Sequence, residues 1–159
     1  MSGIDQKVVA VRQYAWILLI LTCFFMFRVM AQLIQVWHPV AFLPSFDIWQ
    51  SGALPYPLLV ATQIVILVVC LRIVWRMFRG VVVPIHKKGK KLWSLGGVYF
   101  VTMSIRLVLG FTVAPDHFWL GATLPTVFHL VLAAFLLIYG RFHLQEAGTT
   151  KTVPQAVQA

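Results

Sequence analysis

Two arginines inside long apolar stretches are the residues of this chain best suited to bind a ligand. Arg28 and Arg106 each lie in a stretch that contains no Asp or Glu. A guanidinium stays protonated in proteins, so at membrane depth it needs water, a polar partner or a ligand around it. Guanidinium groups suit planar acceptors such as carboxylates and phosphates, because they can donate two parallel hydrogen bonds.

Polar residues in the other apolar stretches fall at nearly the same depth. With a helical rise of ~1.5 Å per residue, Arg28, Arg106 and Gln63 each lie about 10–12 Å from the outer ends of their predicted helices. Gln32 follows Arg28 by four residues and so shares its helical face. The sequence therefore predicts one polar pocket in the outer half of a membrane, formed by Arg28, Gln32, Gln63, Arg106, Thr126 and His129.

Two interpretations of the arginine pair remain open. In the first, the two guanidiniums bind an anion or a carbonyl group, as in a carboxylate, a phosphate, a quinone or a lipid head group. In the second, each arginine extends to the outer head groups or pairs with one of the two acids of the outer loops, Asp47 and Asp116.

The elements that must position these residues are four long apolar segments. Hydrophobic residues make up 60% of the chain and charged residues 11%, whereas a soluble domain carries ~25% charged residues. A helix of ~20 residues crosses a hydrocarbon core. We therefore predict an all-α integral membrane four-helix bundle in residues 1–143 and a flexible cytoplasmic tail in residues 144–159. The predicted spans are residues 14–36, 56–78, 92–113 and 119–139.

The distribution of positive charge predicts the orientation. The net charge is +9, yet the predicted outer connections, Trp37–Pro55 and Ala114–Phe118, contain no Lys or Arg. Basic residues favour the cytoplasmic side, so both termini are predicted to be cytoplasmic in a plasma membrane, which we take to be a bacterial inner membrane. The basic connection 81–91 is expected to contact anionic lipids. This charge pattern indicates topology and not binding to nucleic acid.

The first outer connection holds Pro39, Pro44 and Pro55 around an apolar centre. We expect it to lie on the membrane surface as a simple connector, since loops normally stay at surfaces. A loop that folds back over the helices as a lid is the alternative.

Cofactor sites are weakly indicated. A haem held by two histidines needs both at one depth, and His129 alone is predicted to lie deep in the membrane. Haem or quinone binding is therefore possible but not favoured. His38, Asp47, Asp116 and His117 have side chains that suit Zn or Cu, but without a fixed spacing they are weak candidates and we predict no metal site.

These patterns favour a non-catalytic binding or accessory subunit with an outer-leaflet pocket for an anionic or carbonyl-bearing ligand or for a partner helix. One alternative is a homo-oligomeric channel or transporter for a small anion, and another is a membrane redox protein. The expected partners are membrane lipids, with a membrane-protein complex or a second copy of the chain as further candidates. The absence of an acid within any predicted span argues against a proton-coupled pump.

Overall fold

A computed structural model of the protein describes residues 3–49, 54–113, 115–117 and 119–149. The described chain is all-α, and its four long helices are each long and apolar enough to cross a membrane. A short 3-10 turn, Phe46–Trp49, lies in the connection between the first two helices. The helices are α1 (Gly3–Trp37), α2 (Tyr56–Phe78), α3 (His86–Thr112) and α4 (Thr123–Thr149).

The helices pack in the spatial order α2–α1–α4–α3. Helix α1 packs against α2 and α4, and α4 packs against α3, whereas α2 and α3 make no close backbone contact among the described residues. Burial follows this order: in the most apolar 18 residues of each helix, 39% are buried for α1 and α4, 17% for α2 and 11% for α3. The arrangement is thus open on the side between α2 and α3.

The exposed faces of the helices are apolar. On α2 and α3, large hydrophobic side chains such as Val65, Val68, Val98 and Phe111 are more than half exposed. A soluble protein rarely leaves so large an apolar surface uncovered. The surface has the chemistry expected of contact with lipid tails.

Two buried clusters divide the interior along the helix axes. One contains Leu18, Met77 and Phe142. It lies near the first half of α1, the C-terminal part of α4 and the α2–α3 connection. We call this the basic end, because the Lys- and Arg-rich segments lie there. The other cluster, built around Phe25 and Phe128, lies at the opposite end and includes Trp49 of the 3-10 turn.

Helices α3 and α4 approach closely because glycines lie between them. A Cβ atom at Gly140 would lie 2.8 Å from the backbone nitrogen of Trp93, and one at Gly96 would lie 3.0 Å from that of Leu137. Small residues allow such close packing of membrane helices. Gly97, by contrast, faces open space.

Helix α2 has the bounds predicted from the sequence, because strong signals mark both of its ends. Pro55 precedes its first residue and Pro57 lies in its first turn, where a missing N–H costs little. At the other end Gly80 has a φ of 66°, and the N–H groups of Gly80 and Val81 donate to the carbonyls of Met77 and Arg76. This is a Schellman motif, in which glycine is favoured at the left-handed position.

The bounds of α3 and α4 differ from the predicted ones. Helix α3 begins at His86, so the lysines assigned to the second connection belong to its first turns. Helix α4 begins at Thr123, after the predicted start at residue 119, and continues to Thr149 into the predicted tail. The extension is held by tertiary contacts, since Leu144 packs at Gly89 and Gln145 accepts a hydrogen bond from Tyr14. Residues 150–159 lie outside the described residues.

Candidate functional site

Arg28 faces the interior of the protein. Its side chain is 5% exposed, and its Nη2 atom donates a hydrogen bond to the backbone carbonyl oxygen of Trp49 at 3.0 Å. Its Cζ atom lies 5.6 Å from the centroid of the Phe128 ring. The guanidinium therefore points into the protein, and its hydrogen-bond acceptor is the backbone carbonyl of Trp49.

Arg106 is held in the same manner by the connection between α3 and α4. It is 4% exposed, and its Nε and Nη2 atoms donate to the carbonyl oxygen of Trp119 at 3.1 and 2.6 Å. Its Cζ atom lies 4.2 Å from the centroid of the Trp119 ring. Each intramembrane arginine thus binds the backbone of the connection that follows it in sequence.

A pair of glutamines joins α1 to α2 next to Arg28. Gln32 and Gln63 are 0% and 4% exposed, and the Nε2 atom of Gln63 donates to the Oε1 atom of Gln32 at 3.2 Å. Three buried polar atoms of this cluster have no hydrogen-bond partner in the described chain: Arg28 Nε, Gln32 Nε2 and Gln63 Oε1. We call Arg28, Gln32 and Gln63 the amide–guanidinium cluster.

His129 of α4 contacts α3 through the ring of Tyr99. Its Nδ1 atom is 2.6 Å from the hydroxyl oxygen of Tyr99 on α3. Thr126 is fully buried, but its hydroxyl donates to the carbonyl of Ala122 in its own helix at 2.7 Å. Thr126 therefore does not offer its proton to a ligand.

The described part of the α1–α2 connection, residues 38–49, is mostly exposed. It is also hydrogen-bonded to α1 through Gln35 and Arg28, so it combines features of the expected surface connector and of the folded-back alternative. Gln35 Nε2 donates to the carbonyls of Leu43 and Pro44 at 3.0 and 2.6 Å, and Gln35 Oε1 accepts from the Val40 N–H at 2.7 Å. Trp49 is 2% exposed and stacks on Phe128. Trp49 of the loop thus contacts Arg28 of the amide–guanidinium cluster from the end opposite the basic one.

The weak metal candidates are only partly brought together. Asp47, Asp116 and His117 line one cleft of about 240 Å³ between the outer connections, whereas His38 is not among its lining residues. No group of three or more His, Cys, Asp or Glu residues in the described chain is close enough to hold a metal ion. The Nδ1 atom of His117 accepts the backbone N–H of Trp119 and of Leu120 at 3.2 and 3.3 Å.

The sequence offered Asp47 and Asp116 as partners of the arginines and did not indicate the backbone groups that accept their hydrogen bonds. Their acceptors are backbone carbonyls of Trp49 and Trp119, and a backbone oxygen leaves no side-chain signal. For Arg106 the available clue was Trp119, since a tryptophan ring can cover an arginine.

Comparison of the chain with protein families, with curated proteins and with solved structures found no match.

Proposed function

We propose that this chain is a non-catalytic binding or accessory subunit of a plasma membrane, in which residues 1–143 form the membrane domain. Both termini face the cytoplasm in this proposal, and the membrane is a bacterial inner membrane. The amide–guanidinium cluster then lies in the outer leaflet. There it takes up a small carbonyl-bearing or anionic group.

The unpartnered atoms of the cluster carry this proposal. A buried polar atom without a hydrogen bond costs about 1–3 kcal/mol, and more when the group is charged. Such atoms are uncommon in folded proteins and call for an explanation in each case. Arg28 Nε and Gln32 Nε2 are donors and Gln63 Oε1 is an acceptor. Two donors suit a carbonyl or carboxylate oxygen, and the acceptor suits a hydroxyl group or a water molecule that accompanies it.

The positions of the two glutamines and the arginine support one site and not three separate ones. Arg28 and Gln32 are four residues apart on α1 and therefore share a face. Gln63 of α2 is hydrogen-bonded to Gln32. A ligand at this point bridges α1 and α2, and the loop that carries Trp49 covers it. Entry from the outer side requires that the Arg28–Trp49 hydrogen bond opens.

Orientation follows from charge. The basic end carries Lys87, Lys88, Lys90 and Lys91 at the start of α3, whereas the described connections at the opposite end contain no Lys or Arg. Under the positive-inside rule the basic end is cytoplasmic.

Thermal unfolding of the purified chain in mild detergent tests the proposal. The probes are decylubiquinone for a carbonyl, acetate for a carboxylate and inorganic phosphate. A ligand that binds the native state raises the apparent melting temperature, so at least one probe is expected to do so. The shift is expected to disappear in Gln32→Leu and in Gln63→Leu. Thr62→Val is the matched control, because Thr62 is exposed on α2 beside Gln63 and its hydroxyl bonds its own helix.

The outcomes separate the proposal from its alternatives. Stabilisation by a probe that is lost in both glutamine variants and kept in Thr62→Val supports a binding site. If no probe stabilises the wild type, while Gln32→Leu and Gln63→Leu lower its melting temperature, the cluster is a structural polar core and the proposal fails. Anion flux through liposomes that contain the wild-type chain would instead indicate a channel or transporter.

A further inference from the structure

A second, separate cavity lies at the basic end, on the open side between α2 and α3. Its volume is about 300 Å³, at the lower end of the ~300–1,000 Å³ range of ligand pockets. Helix α2, the α2–α3 connection, the start of α3 and Tyr139 of α4 all contribute to its lining. We call it the basic cleft.

Three cations line the basic cleft. Arg72 and Arg76 are four residues apart on α2 and therefore share one helical face, and Lys88 lies opposite them in the first turn of α3. None of the lining residues is acidic. The charges of the cleft are thus uncompensated within it, and they are accompanied by the positive end of the α3 dipole.

Lys88 is positioned by the protein. Its Nζ atom donates to the Tyr139 hydroxyl at 3.1 Å and lies 4.9 Å from the centroid of the Tyr139 ring. Tyr139 itself is 5% exposed, so its ring is fixed by packing. Lys88 is itself exposed, and its contact with the buried Tyr139 holds the ammonium group at the wall of the cleft.

The other walls of the cleft are apolar, formed by Val69 and Ile73 of α2 and by Val82 and Val83 of the connection. Because α2 and α3 are not packed against each other, the cleft continues into an open gap between two helices with apolar exposed faces. A water-soluble anion would match only the cations. A molecule with a charged head and long apolar chains matches both features.

We propose that the basic cleft binds the head group of an anionic phospholipid. Arg72, Arg76 and Lys88 contact the phosphate oxygens, and the acyl chains lie in the gap between α2 and α3. Arginine forks suit phosphate oxygens by geometry as well as by charge. The site is independent of the amide–guanidinium cluster, and it goes beyond the general attraction of basic segments to anionic membranes because it requires particular residues.

The test counts bound lipid by native mass spectrometry on the full chain, delipidated in nonionic detergent and titrated with phosphatidylglycerol. The variant R72Q/R76Q removes two cations of the cleft. The matched control R79Q/K87Q removes two cations of the same end that do not line it, Arg79 being stacked on Trp75. K88Q is a milder third variant. Parallel titrations use phosphatidylcholine, inorganic phosphate and glycerol 3-phosphate.

The affinity for the first phosphatidylglycerol is expected to fall roughly 10- to 30-fold in R72Q/R76Q and about 5-fold in K88Q, whereas the control pair changes it less than about threefold. Phosphatidylcholine is expected to bind more weakly than phosphatidylglycerol. If R72Q/R76Q does not fold, as judged by circular dichroism, the affinities of K88Q and K87Q for phosphatidylglycerol are compared instead.

Three results would overturn the proposal. An equal loss in both double variants would mean diffuse attraction to the whole basic end. Displacement of the lipid by inorganic phosphate would indicate a site for a free anion. A second copy of the chain occupying the cleft, seen as a lipid-free dimer that R72Q/R76Q dissociates, would identify the open side as a protein interface.

Discussion

The Nη2 atom of Arg28, in the C-terminal third of α1, donates a hydrogen bond to the backbone carbonyl oxygen of Trp49 at 3.0 Å. Both residues are almost fully buried. The bond fixes a loop 21 residues further along the chain against the helix that precedes it, and it leaves the Nε atom of the same guanidinium without a partner. Arg28 thus attaches the α1–α2 connection to α1, and it also forms one wall of the proposed binding site.

Replacing Arg28 with Leu should release the loop. The substitution removes the donor to the Trp49 carbonyl, and a hydrogen bond to a charged group contributes about 1.5–3 kcal/mol. We expect a lower melting temperature and faster hydrogen exchange in residues 46–49, measured by mass spectrometry. Phe27→Leu is the control, since Phe27 is 57% exposed on the other face of α1. Unchanged exchange in residues 46–49 of the Arg28 variant would show that Gln35 and Trp49 hold the loop without Arg28.

Arg106 should not be replaceable by lysine. The guanidinium donates twice to one carbonyl oxygen and lies over the Trp119 ring, and a lysine cannot reproduce that planar geometry. We expect Arg106→Lys to cost about 1–2 kcal/mol of unfolding free energy. In a double-mutant cycle with Trp119→Leu, a coupling of about 0.5–2 kcal/mol is expected from the cation–π contact. A coupling near zero would mean that the ring contributes nothing and the carbonyl is the whole interaction.

Replacing two glycines of α3 and α4 with alanine should change the stability of the protein in opposite directions. Gly140→Ala places a Cβ atom 2.8 Å from the Trp93 backbone nitrogen, so the helices must separate and stability should fall by about 1–3 kcal/mol. Gly97→Ala meets nothing within 4 Å, and it should stabilise α3 by up to ~1 kcal/mol through helix propensity. The two variants are compared by their melting temperatures in the same detergent. A stabilising Gly140→Ala would contradict the close packing described here.

The predicted orientation can be tested with single cysteines in a background lacking Cys23 and Cys70. Ser45 and Lys87 are both exposed and lie at opposite ends of the helices. In intact cells a membrane-impermeant maleimide should label Ser45→Cys, whereas Lys87→Cys should react only after the cells are permeabilised. Labelling of Lys87→Cys alone in intact cells would invert the topology and place the amide–guanidinium cluster in the inner leaflet.

The sequence predicted those parts of the fold that local chemistry determines. The predicted span 56–78 coincides with α2, whose ends Pro55 and Gly80 mark directly. The lysines that begin α3 were misassigned to a connection, since a basic first turn opposes the helix dipole and the compensating contact of Lys88 with Tyr139 is distant in sequence. The length of α4 could not be foreseen for the same reason: its last turns depend on contacts of Leu144 with Gly89 and of Gln145 with Tyr14.

The candidate site was predictable in part. Helical spacing and depth brought out Arg28, Gln32, Gln63 and Arg106 as candidates, and all four are buried. The same reasoning put Thr126 in the pocket, but its hydroxyl bonds its own helix. A residue pattern does not indicate a backbone acceptor in a loop. The hydrogen bonds of both arginines to the loops were therefore found only in the three-dimensional structure.

An experimental structure of the wild-type chain, purified in mild detergent at a resolution that shows ordered water, tests the central claim most directly. The density between Arg28 Nε, Gln32 Nε2 and Gln63 Oε1 is the observation that decides. We expect a feature larger than a water molecule, within hydrogen-bonding distance of both donors. A single ordered water, or glutamine side chains turned to satisfy one another, would contradict the account and leave these residues with a structural role.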